Sequence, residues 1–233
     1  MEYNQHVSPL ELGQVGAASR NKVLRNTYLL LAISMIPTVL GAWLGVATGL
    51  SAAMLASPGI TLIVFLAGAF GFMFLIEKNK ESGAGVALLL AFTFFMGVML
   101  SRLIGMVLGM ANGAMLIGVA FAGTSVIFFS MAALGTVIKR DLSGLGKFLM
   151  IGAWVVFFGA ILSFFIKMPI FMVVLMVMVI AIFSLYMLYD VNKVVNGGET
   201  NYVSATLQLY LDIYNVFQAL LALLSIFGGS NRN

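Results

Sequence analysis

Seven apolar segments, each about long enough to cross a lipid bilayer, constrain this chain more than any other feature. A helix needs about 20 mostly apolar residues to span the hydrocarbon core. The segments cover residues 28–48, 58–76, 85–108, 114–138, 148–166, 170–189 and 205–227. They lack the apolar–polar alternation of an outer-membrane barrel strand. The sequence therefore predicts an all-α integral membrane protein of seven transmembrane helices, surrounded by the lipid bilayer.

The composition agrees with a membrane protein and excludes several kinds of active site. Hydrophobic residues make up 62% of the chain and charged residues 9%, whereas a soluble domain has about 25% charged residues. The chain has no cysteine, which excludes disulfides, thiolate catalysis and Cys-ligated metals. The one histidine, His6, lies in a polar N-terminal stretch, so a histidine metal cluster and a Ser-His-Asp triad are excluded too. We expect a protein that is not an enzyme and holds no resident cofactor.

The chain divides into a polar tail, residues 1–25, and a single seven-helix membrane domain, residues 26–233. The tail lacks the apolar core of a signal peptide, so we expect the first span to be an uncleaved helix. Nine of the 12 lysines and arginines lie in the tail and in the connections after the second, fourth and sixth spans. On the other side, only Lys167 and Arg232 are basic. This asymmetry predicts a cytoplasmic N-terminus and an external C-terminus. The basic residues form no stripe, so we expect no nucleic-acid partner.

Glycines recur at four-residue spacing in two of the spans. One set lies in or near the first span and the other near the end of the third: Gly41, Gly45 and Gly49; Gly105, Gly109 and Gly113. Small residues at this spacing let two helices approach closely. The pattern fits either a dimer face or packing inside the bundle, and internal packing is the favoured interpretation. The oligomeric state stays open.

Two aspartates lie within the apolar segments or at their edge. Asp212 is well inside the seventh span, and Asp190 is at the end of the sixth. A carboxylate inside a membrane costs several kcal/mol and normally has a partner in a polar interior. The two spans are joined by a turn centred on residues 196–201, and the aspartates lie at similar distances from it. Antiparallel helices would therefore bring the two carboxylates to the same depth. Polar neighbours at helical spacing extend this stripe: Tyr186, Lys193, Gln208 and Asn215.

Two close carboxylates in a medium of low dielectric cannot both ionise cheaply, so such a pair shares a proton. That behaviour makes Asp190 and Asp212 a candidate proton-sensitive switch. Their oxygens also suit calcium, and a site with so few ligands binds it weakly and transiently. The alternative interpretation places Asp190 in the solvated headgroup zone beside Lys193.

Arg102 interrupts the outer half of the third span. The favoured interpretation is that its long side chain reaches the external interface. The alternative places it along a polar pathway or as a counter-charge inside the bundle. An intramembrane aspartyl protease is disfavoured, because the second aspartate lies in Leu209-Tyr210-Leu211-Asp212 and not in a Gly-x-Gly-Asp motif.

The segments Phe183–Asp190 and Leu209–Asp212, the turn Gly197–Tyr202 and the segment Asn21–Tyr28 carry a family resemblance. The sequence resembles the Bax-inhibitor family, and in particular its bacterial branch. The resemblance implies a seven-helix fold whose seventh helix is central and surrounded by the other six. It also implies a bacterial inner-membrane protein and a pH-sensitive calcium leak gated by the aspartate pair, which falls on Asp190 and Asp212.

Leak-type members of the family also have an arginine latch at the cytoplasmic end of the second span. This chain has Lys78 and Lys80 there, so one of these lysines is the expected substitute. The bacterial branch includes a protein associated with the membrane protease FtsH, which implies a second function as a regulator or partner of such a protease, without transport. The polar tail, residues 1–19, would then be the handle for the protease. Retention of both aspartates favours the cation leak as the first hypothesis.

Overall fold

The computed structural model describes residues 9–140, 142–163, 165–166 and 168–229, with side chains from residue 18 onward. These residues form eight helices and no strand: α1 Pro9–Ala47, α2 Leu50–Ala56, α3 Pro58–Asn79, α4 Gly83–Leu108, α5 Gly113–Val137, α6 Ser143–Ser163, α7 Pro169–Val195 and α8 Tyr202–Gly229. Seven of them are long and apolar enough to cross a membrane, which confirms the predicted fold class. Lys167 and Arg232, which entered the orientation prediction, lie outside the described residues.

Two features of the N-terminal part differ from the sequence-based boundaries. Helix α1 begins at Pro9, ahead of the apolar segment, so much of the polar tail continues the first spanning helix. Proline suits a first helical turn because its missing N–H would have no partner there. The connection predicted between the first two spans contains the short helix α2, which follows Gly49. Gly49 has a φ of 75°, a left-handed conformation that glycine adopts at no steric cost.

Helix α8 occupies the centre of the bundle. It packs against α1, α3, α4, α5 and α7, and its Leu209, Val216 and Leu221 are completely buried. Helix α6 departs from the arrangement that the resemblance implies. Within the described part of the chain it packs against α7 and does not reach α8. The central helix is therefore enclosed by five of the other six spans, and α6 is peripheral.

The most extensive helix–helix contact joins α1 to α4, and glycines make it possible. A Cβ on Gly41 would overlap the backbone carbonyl of Phe94, and one on Gly97 would overlap that of Thr38. A Cβ on Gly45 would likewise overlap the Ser101 side chain. The glycine face of α1 is thus packed inside the bundle, as the favoured interpretation had it, and is not a free dimer face.

One end of the bundle collects the basic connections, and we call it the basic face. It contains the α3–α4, α5–α6 and α7–α8 connections, and hydrogen bonds join the first of these to the α7–α8 connection and the second to the end of α7. The Asn201 amide, for example, donates to the Lys80 carbonyl at 3.1 Å, and the Asn192 amide donates to the Ile138 carbonyl at 2.6 Å. Around the spans, large apolar side chains such as Ile63, Phe129 and Val137 are exposed, as a lipid-facing surface requires.

Candidate functional site

The turn between α7 and α8 sets the depth of the two aspartates. Helix α7 ends at Val195. Just beyond it, Gly197 has a φ of 79°, and the Gly198 N–H donates to the Lys193 carbonyl at 2.8 Å. Glycine in this conformation closes a helix C-terminus. Helix α8 then begins beneath Asn201, whose Oδ1 accepts from the Val203 and Ser204 N–H groups at 2.8 and 3.1 Å. Such an N-cap fixes the start of a helix. With both ends fixed, α7 and α8 run antiparallel from a tight turn.

Asp190 and Asp212 face each other across the α7–α8 contact. Their side chains are 6% and 4% exposed, and their carboxyl groups lie within hydrogen-bonding reach of one another. Asp212 Oδ2 is buried and has no hydrogen-bond partner among the described residues. A buried polar atom without a partner costs free energy, and a shared proton or a bound cation would relieve that cost. The geometry is therefore that of a paired-carboxylate site enclosed in the bundle.

The pair supplies few ligands for a metal ion. The described residues contain no group of three or more His, Cys, Asp or Glu side chains arranged to hold one. Calcium takes 6–8 oxygen ligands in a stable site. Two carboxylates therefore suit passing contact with a cation better than permanent retention.

Lys193, near the end of α7, and Glu199, in the α7–α8 connection, lie close to each other at the basic face. Lys193 Nζ is 3.7 Å from Glu199 Oε2, and the Gln208 amide donates to the same oxygen at 3.5 Å. Both charges act electrostatically on Asp190. On the other side of the pair, the Tyr186 hydroxyl is close enough to interact with both carboxyl groups. Of the predicted polar stripe, Tyr186 and Lys193 thus interact electrostatically with the pair.

The remaining predicted site residues are exposed or bond to groups other than the two aspartates. Asn215 donates to the Leu211 carbonyl of its own helix at 2.8 Å, and Arg102 is exposed on α4. Lys80 forms an ion pair with Glu77, and this hydrogen bond raises the pKa of Lys80. Lys78 is exposed. Neither lysine is among the charges that act on the aspartates, and a latch formed by one of them stays a prediction.

Sequence reasoning missed a polar network that ties α3 to α8. The predicted second span ends at residue 76, but Glu77 lies in the last turn of α3, and its Oε2 accepts from the Ser204 hydroxyl at 3.0 Å. The Asn201 amide donates to Glu81 at 3.0 Å. Deeper in the bundle, the Tyr210 hydroxyl is 2.9 Å from Thr38 Oγ1. Sequence reasoning gave Tyr210 no role of its own, although it lies two residues before Asp212 in the seventh span.

The sequence matches one protein family and several bacterial proteins over most of its length. Residues 20–232 match the family described as "Inhibitor of apoptosis-promoting Bax1". The chain is 36% identical over 215 residues to the "Modulator of FtsH protease YccA" of Escherichia coli K12, covering 92% of this chain and 93% of the relative. It is 36% identical over 214 residues to an uncharacterized protein of Neisseria meningitidis serogroup A, with coverage of 91% and 94%. An uncharacterized protein of Pseudomonas aeruginosa is 34% identical over 209 residues, with coverage of 90% and 91%.

Proposed function

The chain belongs to the Bax-inhibitor family, and from this membership we propose that it regulates a membrane-bound protease of the FtsH type in a bacterial inner membrane. The observation that carries the proposal is the 36% identity to a relative named as a modulator of FtsH protease. That match covers nearly the whole of both chains. Because the two proteins are similar over the whole seven-helix domain, we transfer the regulatory role of the relative to this chain.

The start of α1 supports the proposal physically. The helix begins ahead of the apolar segment, and residues 18–22 are exposed. Two of these residues, Arg20 and Lys22, are basic. The exposed residues at the start of this helix offer a contact surface to the soluble part of a membrane protease. The exposed apolar side chains of the spans offer a second surface, within the bilayer, to its membrane anchor.

Reconstitution tests the proposal. The protease and a membrane-protein substrate are placed in proteoliposomes with the full chain, with a chain lacking residues 1–17, or with an unrelated seven-helix protein. We expect the full chain to change the degradation rate at least twofold relative to the unrelated protein. The shortened chain should have a smaller effect if the α1 extension makes the contact. Equal degradation rates with the full chain and the unrelated protein would contradict the proposal.

A second candidate function is a pH-sensitive calcium leak through the aspartate pair. One observation favours it, which is the pairing of two buried carboxyl groups with one oxygen left unpartnered. Protons and calcium compete for the same oxygens, so proton binding would change both the charge of the pair and its hold on a passing cation. Conduction requires a site that binds weakly enough to release the ion. Two carboxylates meet that condition.

Calcium flux into proteoliposomes, measured from about pH 5 to pH 8 at two calcium concentrations, tests the leak. The parent should show a pH-dependent flux whose midpoint moves to lower pH when calcium is raised. Asp212→Asn should fold and lose the pH dependence, because it removes one of the two titrating groups. Glu81→Gln, which changes a carboxylate outside the spans, is the matched control and should keep the parent profile. A parent-like profile for Asp212→Asn would remove the pair from the mechanism.

A further inference from the structure

A polar pocket opens at the basic face, beside the end of α7. It has a volume of about 430 Å³ and lies between the α5–α6 connection and the α7–α8 turn. Its main lining residues are Lys139, Ser143, Tyr189, Asn192, Lys193 and Asn196. This volume falls within the range of about 300–1,000 Å³ that is usual for small-ligand sites. The pocket is separate from the carboxyl groups of the aspartate pair, which do not line it.

The chemistry of the lining is that of an anion site. Two of the six side chains are lysines, Ser143, Tyr189 and Asn196 also carry an N–H or O–H donor, and the described residues of the lining include no carboxylate. Asn192 supports the wall, because its amide donates to the Ile138 carbonyl at 2.6 Å. The Tyr189 hydroxyl lies against Gly146 of α6, where a Cβ would overlap it, and Tyr189 also lines the pocket. Helix α6 begins at Ser143, so its N-terminal partial positive charge adds to that of the lysines.

The two lysines differ in how fully their charge is compensated. Lys193 Nζ lies 3.7 Å from Glu199 Oε2, at the limit of an ion pair, and its side chain is 31% exposed. Lys139 is exposed on the short connection after α5. It forms no ion pair with a described residue, so its charge is less compensated than that of Lys193. An anion seated there would also compete with Glu199 for Lys193.

The position of the pocket points to the source of the anion. It lies where α7 leaves the apolar segment, next to an aromatic hydroxyl, which is the depth of the lipid headgroups. Basic pockets between transmembrane helices bind anionic headgroups. We propose that this pocket binds a phosphate group, and that an anionic phospholipid headgroup supplies it. Free inorganic phosphate shares this chemistry and is the alternative source that the experiment separates. The proposal does not rest on protease regulation or on a cation leak.

Native mass spectrometry of the full chain in detergent measures the binding directly. The probes are dioctanoyl phosphatidylglycerol, dioctanoylglycerol, which has the same acyl chains without the phosphate, and inorganic phosphate. We expect the phosphatidylglycerol to bind and the dioctanoylglycerol to bind at least tenfold more weakly. Lys139→Gln should weaken phosphatidylglycerol binding about fivefold, equivalent to about 1 kcal/mol for a lysine at a membrane surface. Lys78→Gln, which changes an exposed lysine of the same face outside the pocket, is the matched control and should bind like the parent.

Each outcome decides a part of the proposal. If inorganic phosphate binds with the same dependence on Lys139 and displaces the lipid at equal concentration, the site is a phosphate site with a soluble source. If Lys139→Gln binds the lipid as tightly as the parent, or if the dioctanoylglycerol binds equally well, the proposal is overturned. Tyr189→Phe, which keeps the ring and removes one donor, provides a second variant should Lys139→Gln fail to fold. It should weaken binding at least twofold.

Discussion

Replacing Gly97 with alanine is expected to force α1 and α4 apart. A Cβ at this position would lie 2.8 Å from the Thr38 carbonyl carbon and closer still to its oxygen, whereas ordinary contacts begin near 3.4 Å. The obstructing atoms belong to the backbone, so no side-chain rotation relieves the overlap. The two helices must therefore separate by more than about half an ångström. Overpacking of this kind costs about 1–3 kcal/mol.

The displacement also threatens a hydrogen bond to the central helix. Thr38 Oγ1 is 2.9 Å from the Tyr210 hydroxyl of α8, so moving α1 away from α4 strains this bond as well. Hydrogen bonds between membrane helices average about 0.6 kcal/mol. The total destabilisation expected for Gly97→Ala is therefore about 2–4 kcal/mol. Gly118→Ala is the matched control, because a Cβ on Gly118 of α5 meets no atom within 4 Å. That variant should equal the parent or gain up to about 1 kcal/mol.

Reversible unfolding of both variants in the same detergent measures the difference. The reasoning requires the free energy of unfolding of Gly97→Ala to fall below that of Gly118→Ala by about 2 kcal/mol or more. Equal values for the two variants would mean that α1 and α4 do not approach as described.

Three further outcomes are expected. Tyr210→Phe should lower the free energy of unfolding by about 0.6–1.7 kcal/mol, measured in the same assay, because the Thr38 hydroxyl loses its partner on α8; no loss would show that this bond does not contribute. Arg102→Gln should leave the unfolding curve unchanged, because Arg102 is exposed on α4, and loss of the folded protein would show that the guanidinium pairs inside the bundle. Single cysteines at Lys78 and Asn112, the first cytoplasmic and the second external, should react with an impermeant thiol reagent from opposite sides of the membrane, and reaction from one side would refute the predicted topology.

The spans and the aspartate contact were accessible from the sequence because both follow from strong physical constraints. A bilayer fixes the length of an apolar helix, and a buried carboxylate requires a polar partner. The turn-forming residues around Gly197 then place Asp190 and Asp212 at one depth. Whether the pair senses pH or carries ions stays a prediction.

Several features of the structure had no comparable signal in the sequence. Helix α2 spans only seven residues, too few for apolar periodicity to reveal it. The extension of α1 consists of residues compatible with either a helix or a coil, so composition alone left it as a tail. The peripheral position of α6 depends on how the surfaces of all seven spans fit together. No single segment of the sequence indicates that fit. Lys80 was a candidate partner for the aspartates, but its ammonium group forms an ion pair with Glu77, three residues earlier in the chain.

A titration of protease activity against the amount of this chain tests the central claim most directly. The degradation rate of one membrane substrate is measured in proteoliposomes with a fixed amount of an FtsH-type protease and increasing amounts of the chain. Regulation through a specific complex predicts that the rate changes with the ratio of chain to protease and then reaches a plateau. A rate that is independent of this ratio, or that changes equally with an unrelated seven-helix protein, would contradict the account.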